Sequence, residues 1–178
     1  MVAAAVFLWI VTAYNRLVDI KARTFAAWRE VETTLSRRSG LSTRLVQEMR
    51  GSGDNEAEQI QAITLAQAAE AQARAKARPT DGIVELAESG AKVASALSKL
   101  RIVAEHYSNI KSKGQIGQVL DELRAVEEKL ALSREHYTQT AVTYNSMQRQ
   151  FPGRLLARLA RGELVQPWAA GETGPPSA

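Results

Sequence analysis

Residues 119–151 read VLDELRAVEEKLALSREHYTQTAVTYNSMQRQF, with an apolar or small side chain at every third or fourth position. Val119, Leu123, Val126, Leu130, Ser133, Tyr137, Thr140, Tyr144, Met147 and Phe151 follow one another in alternating steps of four and three. That spacing keeps them on one side of a helix. Between them Asp121, Glu122, Arg124, Glu127, Glu128, Lys129, Arg134 and Glu135 form a solvated face of opposite charges three and four residues apart. At 1.5 Å per residue the stretch is a rod of roughly 50 Å. Phe151-Pro152-Gly153 ends it, because proline lacks the N–H and clashes with the preceding turn. A rod this long and apolar on one side must be covered by other long helices.

The remaining sequence supplies them. Leu17, Ile20, Thr24, Trp28, Val31 and Leu35 continue the same spacing, and Leu41, Leu45, Val46 and Met49 resume it after the lone Gly40. One helix is therefore expected from the N-terminal apolar run to about Arg50, ending at Gly51-Ser52-Gly53. Asp54 or Asn55 is placed to cap a second helix, with Glu56 and Glu58 in its first turn. It passes Ile60, Ile63 and Leu65 and runs through an alanine-rich tract, a strong helix former, to Arg78. Pro79-Thr80-Asp81-Gly82 reads as a turn. A third helix carries Ile83, Leu86, Gly90, Val93, Leu97, Leu100 and Val103 on its buried stripe, and a polar, basic loop from Ser108 to Gly114 precedes the long rod. The expected fold is all-α, an elongated antiparallel bundle of about four long helices with coiled-coil-like seams. An N-terminal membrane-anchor helix is continuous with the first of them.

Residues Met1 to Ala13 are uncharged and nearly all apolar, about 20 Å of helix against the roughly 30 Å of a bilayer core. Three readings are open: a short membrane anchor, a signal peptide using Val11-Thr12-Ala13 but lacking a basic n-region, and an apolar bundle end. The anchor reading carries furthest, with Val2, Val6, Phe7, Leu8, Trp9, Ile10 and Val11 in lipid, Trp9 and Tyr14 at an interface, and Arg16 snorkelling. Arg16, Lys21, Arg23, Arg29, Arg37 and Arg38 all follow the apolar run, which places the body on the cytoplasmic side. The expected division is 1–14 anchor, 15–162 bundle and 163–178 flexible tail.

The 178 residues contain no cysteine, so disulfides and thiolate chemistry are excluded. A net charge of +4, with basic and acidic residues interleaved, argues for no nucleic-acid partner. The two histidines, in Glu105-His106-Tyr107 and Glu135-His136-Tyr137, have their glutamates adjacent, about 100° away round a helix, rather than at the i, i+3 spacing of a bundle metal site. No nucleophile elbow or phosphate loop is present. The sequence thus points to no catalysis, no cofactor and no small-molecule substrate.

The candidate interaction surface is Arg37, Arg38, Arg154, Arg158 and Arg161. If Arg38 is instead buried, it must pair with a carboxylate of the long rod and fix helix register. The expected partners are membrane lipid and another protein or a second copy, in a structural or scaffolding role. The alternative is a protein that remodels anionic membrane surfaces through oligomerisation and the basic segment 154–161.

The residues also carry a resemblance in their order and spacing. An apolar start leads into Tyr14-Asn15-Arg16-Leu17-Val18, then Ala27-Trp28, Leu35-Ser36-Arg37-Arg38 and Leu45-Val46. Near the other end come Leu123, Glu127, Ala131, Arg134, Tyr137, Tyr144-Asn145 and Phe151-Pro152. In these the chain resembles the LemA family, departing from its pattern at Tyr137-Thr138, at Tyr107-Ser108-Asn109-Ile110-Lys111 and at Gly51-Ser52-Gly53. The resemblance implies a single-pass, membrane-anchored helical bundle of the bacterial inner membrane and implies no established biochemical activity.

Overall fold

The computed structural model describes residues 2–50, 57–106, 113–150 and 163–168. Four helices carry the chain: α1 (Val2–Arg50), α2 (Ala57–Lys76), α3 (Ile83–His106) and α4 (Lys113–Arg149). Helix α1 runs unbroken through Gly40, where burial of Leu35 before it and of Leu45 and Val46 after it outweighs the roughly 1 kcal/mol that glycine costs a helix. Helix α4 begins within the segment expected to be a loop, at Lys113. The expected cap of α2, the turn at 51–53 and the stop at Phe151-Pro152-Gly153 lie outside the described residues.

Two apolar clusters run through the bundle and fix its topology. One joins Leu17 to Leu35 of α1, Ala73 and Ala77, Ile83 to Ala87 of α3, and Leu130 to Tyr144 of α4. The other joins Leu45 to Met49, Ile60 and Ile63, Val93 to Leu100, and Val119 and Leu123. Each helix enters one cluster and leaves through the other, so successive helices run up, down, up and down. Helix α4 lies along α1, and α3 along α2.

The seam of α4 differs from strict alternation in its last turns. After Val119, Leu123, Val126, Leu130, Ser133 and Tyr137, the buried positions are Ala141, Tyr144 and Gln148. Thr140 and Met147 are only partly buried. A strict seven-residue repeat drifts about 20° per heptad on a straight helix. One extra step of four, from Tyr137 to Ala141, restores contact with α1. On α2, Leu65 points to solvent, and the buried line is Ile60, Ile63, Glu70 and Ala73.

The turn between α2 and α3 is tight. Arg78 and Asp81 exchange two backbone hydrogen bonds of 2.8 and 3.0 Å, and the Gly82 N–H donates to Asp81 Oδ1 at 2.8 Å. Gly82 has φ 78°, and a Cβ there would stand 3.2 Å from the Ala77 Cα. Gly82→Ala should therefore destabilise the fold by about 1–2 kcal/mol. Thermal unfolding followed by circular dichroism checks this, and an unchanged midpoint would contradict it.

Of the expected anchor helix, its helical form and its continuity with the bundle are seen, and a membrane span is not seen among the described residues. The apolar run is helical and continuous with the bundle, and Phe7 and Leu8 are 66% and 64% exposed. Among the described residues, however, no helix is long and apolar enough to cross a membrane.

Candidate functional site

Between the two apolar clusters the bundle holds a layer of charge. Arg38, whose side chain is 0% exposed, donates from Nη2 to Glu70 Oε1 in a short ion pair and from Nη1 to Glu127 Oε1 at 3.2 Å. Its Nη1 also reaches the Gly90 carbonyl at 3.5 Å. Each helix thus contributes one member. Gly90 makes the room: a Cβ there would lie 3.2 Å from Arg134 Nη2, 3.5 Å from Arg38 Nη2 and 3.6 Å from Glu70 Oε1.

Arg134 completes the layer as a second arginine. Burial, then the neighbouring charge of Arg38, lowers its pKa to about 10 against the opposing pull of Glu127 and Glu70. It therefore stays protonated at neutral pH. Its guanidinium stacks 4.6 Å from the centre of the Trp168 ring, while Nε and Nη2 are buried without a hydrogen-bond partner.

These positions correct two expectations. Arg38 belongs to no interaction surface; it is the buried partner of a carboxylate on the long rod, because the α1 seam turns it inward between Leu35 and Ser42. It is also withdrawn from the basic set that would face a membrane. Arg37 is exposed, whereas Arg154, Arg158 and Arg161 lie outside the described residues. Glu70, Gly90 and Arg134 were not singled out as a site. Glu70 had a legible signal, since it stands seven residues after Ile63 and three before Ala73, on the buried line of an otherwise small-residue helix.

Residues 163–168 were expected to open a flexible tail running to 178, of which 169–178 lie outside the described residues. Residues 163–168 form an extended strap laid across α4 and the α2–α3 turn, with Val165 and Trp168 buried in the first apolar cluster. Asn145 holds it at both backbone groups of Val165, donating from Nδ2 to the carbonyl at 2.7 Å and accepting the N–H at 2.9 Å. Gln166 ties three pieces together. Its N–H donates to the Pro79 carbonyl at 2.8 Å, its Oε1 accepts from the Ile83 N–H at 3.3 Å, and its carbonyl accepts from the Tyr137 hydroxyl at 2.8 Å. The Ile83 amide is one of the otherwise unsatisfied donors at a helix start.

Tyr137 and Trp28 pack ring against ring at 5.4 Å and 56° beneath the strap. Burial raises the Tyr137 pKa, and burial together with Glu163 raises that of Tyr144. Both phenols are held neutral, and the Tyr137 hydroxyl serves as a structural donor.

The rest of the surface offers little chemistry. A groove of about 240 Å³ between α3 and α4 is floored by Leu97, Leu120 and Leu123, with Arg124 and Glu127 on its edge. His136 is exposed, and among the described residues no three histidine or acidic side chains converge as a metal site.

A model of the LemA family matches residues 27–174. The chain belongs to the LemA family. No curated protein matches it. In this LemA protein the matched stretch contains the whole charged layer, the aromatic pair Trp28–Tyr137 and the strap. The exposed apolar turns at Val6–Val11 precede it.

Proposed function

We propose that this LemA protein is a non-enzymatic structural scaffold, rooted in a membrane by the first turns of α1 and presenting its bundle to other proteins. One observation carries the reading. Val6, Phe7, Leu8, Trp9, Ile10 and Val11 are exposed on a helix that continues without a break to Arg50. Six consecutive large apolar side chains in water form an unfavourable surface. Moving such a side chain into an apolar medium gains about 1.5–3 kcal/mol. The same rod supplies the bundle core from Leu17 onward, so lipid contact and packing are mechanically joined. Arg16, Lys21, Arg23, Arg29 and Arg37 follow the apolar turns, which favours the cytoplasmic face of a bacterial inner membrane.

The interior supports a structural role. Its buried ions face one another across helices, and the buried Tyr137 donates to a backbone carbonyl rather than opening into a cleft. The remodelling alternative needs Arg154, Arg158 and Arg161, which lie outside the described residues.

Membrane fractionation with an alkaline carbonate wash, combined with proximity labelling from a C-terminal tag, tests the proposal. The expected outcome is retention in the membrane pellet with a reproducible labelled neighbour, and release when residues 2–13 are deleted. Recovery of the unaltered chain in the soluble fraction would contradict it.

A further inference from the structure

The strap at 163–168 is held in the way a bound peptide is held. Contacts to its backbone come from Asn145, Tyr137, the Pro79 carbonyl and two further polar groups. Gln148 Nε2 donates to the Glu163 carbonyl at 3.2 Å, and Thr138 Oγ1 accepts the Trp168 N–H at 3.2 Å. Two side chains, Val165 and Trp168, enter the apolar cluster beside Trp28, Tyr137 and Tyr144. Backbone hydrogen bonds for hold and side-chain pockets for selectivity are the two ingredients of extended-peptide recognition. None of these contacts requires that strap and groove belong to one chain.

The connection is also long for what it joins. Glu163 sits against Gln148, yet twelve residues, 151–162, separate Gln150 from Glu163. Twelve residues can span up to roughly 40 Å. A strap on such a connection can reach the groove of a neighbouring bundle as well as its own. The groove cannot be left empty cheaply, because that would bare Trp28, Tyr137 and the stacked face of Arg134.

We propose that copies of this chain associate by exchanging the strap, 163–168 of one copy filling the groove formed by α4, α1 and the α2–α3 turn of another. Every contact of the closed chain is kept in the exchanged pair. Concentration and the reach of the connection then decide between the two forms. The inference is independent of the membrane reading, since it uses only the bundle and its strap.

The chain has no cysteine, so introduced ones report contacts without background. A full-length Gln148→Cys chain is mixed in detergent with a full-length Glu163→Cys chain carrying a tag of different mass, then oxidised at rising concentrations. A disulfide-linked dimer of mixed mass is expected. Adding Trp168→Ala to the Glu163→Cys chain should lower its yield about tenfold or more, given the 3–5 kcal/mol scale of truncating a buried aromatic. The proposal is overturned if the double variant Gln148→Cys, Glu163→Cys closes within single chains while the mixture gives no mixed dimer. It is also overturned if the mixed dimer forms equally well with Trp168→Ala.

Should neither cysteine pair close, sedimentation of the unaltered chain in detergent decides. A dimer fraction that rises with concentration and falls when a synthetic peptide of residues 163–168 is added supports exchange. A monomer throughout, or a dimer indifferent to the peptide, refutes it.

Discussion

Arg38→Ala is expected to destabilise the bundle by about 3–5 kcal/mol, a large share of the 5–15 kcal/mol that holds a typical domain together. The loss is not the worth of the ion pair itself. With Arg38 gone, the Glu70 carboxylate remains in the interior with its side chain only 4% exposed. Its charge then has neither water nor a bonded cation. Glu127, at 34% exposure, keeps contact with solvent and suffers less.

The same reasoning predicts recovery when the pair is removed together. Arg38→Met with Glu70→Leu fills the volume, leaves Arg134 facing Glu127 and removes the repulsion from Arg38 that lowers the Arg134 pKa. The double variant should unfold within about 1 kcal/mol of the parent, or be more stable, as replaced buried ion pairs often are. For the single variant the melting temperature should fall by about 10 °C. Urea or thermal unfolding of the three proteins decides, and an Arg38→Ala chain with an unshifted midpoint would sink this description of the layer. The layer also opposes sliding of one helix along another, because a displacement of one turn would set Arg38 or Glu70 against Leu35, Val93 or Leu130 instead of against each other.

Tyr137→Ala should have an effect of similar size, about 3–5 kcal/mol, for a different reason. The ring is fully buried, packs on Trp28 and supports the strap through its hydroxyl. Tyr137→Phe separates the two contributions. It keeps the ring and removes the 2.8 Å bond to the Gln166 carbonyl, a change of about 1–2 kcal/mol. Its expected signature is faster proteolytic removal of the C-terminal segment with little change in helix content. Equal melting loss in the Phe and Ala variants would show that the hydroxyl, not the ring, dominates.

Most of the architecture was legible because period and punctuation agree along this chain. The four-three spacing marks α1, α3 and α4, and Pro79 to Gly82 marks a turn whose positive φ only glycine accepts without strain. The α4 seam was read correctly to Tyr137 and again at Tyr144, and misplaced at Thr140 and Met147, since a fixed heptad cannot follow a straight helix for so many turns.

The site was less legible. Arg37-Arg38 was open to two readings, an exposed basic patch and a buried pair fixing register, because adjacent helical residues point about 100° apart and only tertiary packing selects which one turns inward. The alternative of a carboxylate partner on the long rod was right for Glu127, yet its tightest partner, Glu70, lies on α2. The strap was missed because proline, glycine and small polar residues beyond it gave the whole tail a disordered composition. Trp168, a large aromatic residue that burial rewards, was the contrary signal.

The scaffold reading depends most directly on where the first turns of α1 reside. Single cysteines placed at Phe7, Leu8 and Ile10, and for comparison at Lys21, Arg29 and Arg37, can be challenged in native membranes with a water-soluble maleimide. Membrane rooting predicts that the first three are protected until detergent is added, while the second three react at once. Equal, rapid labelling at Phe7, Leu8 and Ile10 in intact membranes would contradict it and leave the exposed apolar turns to a protein partner.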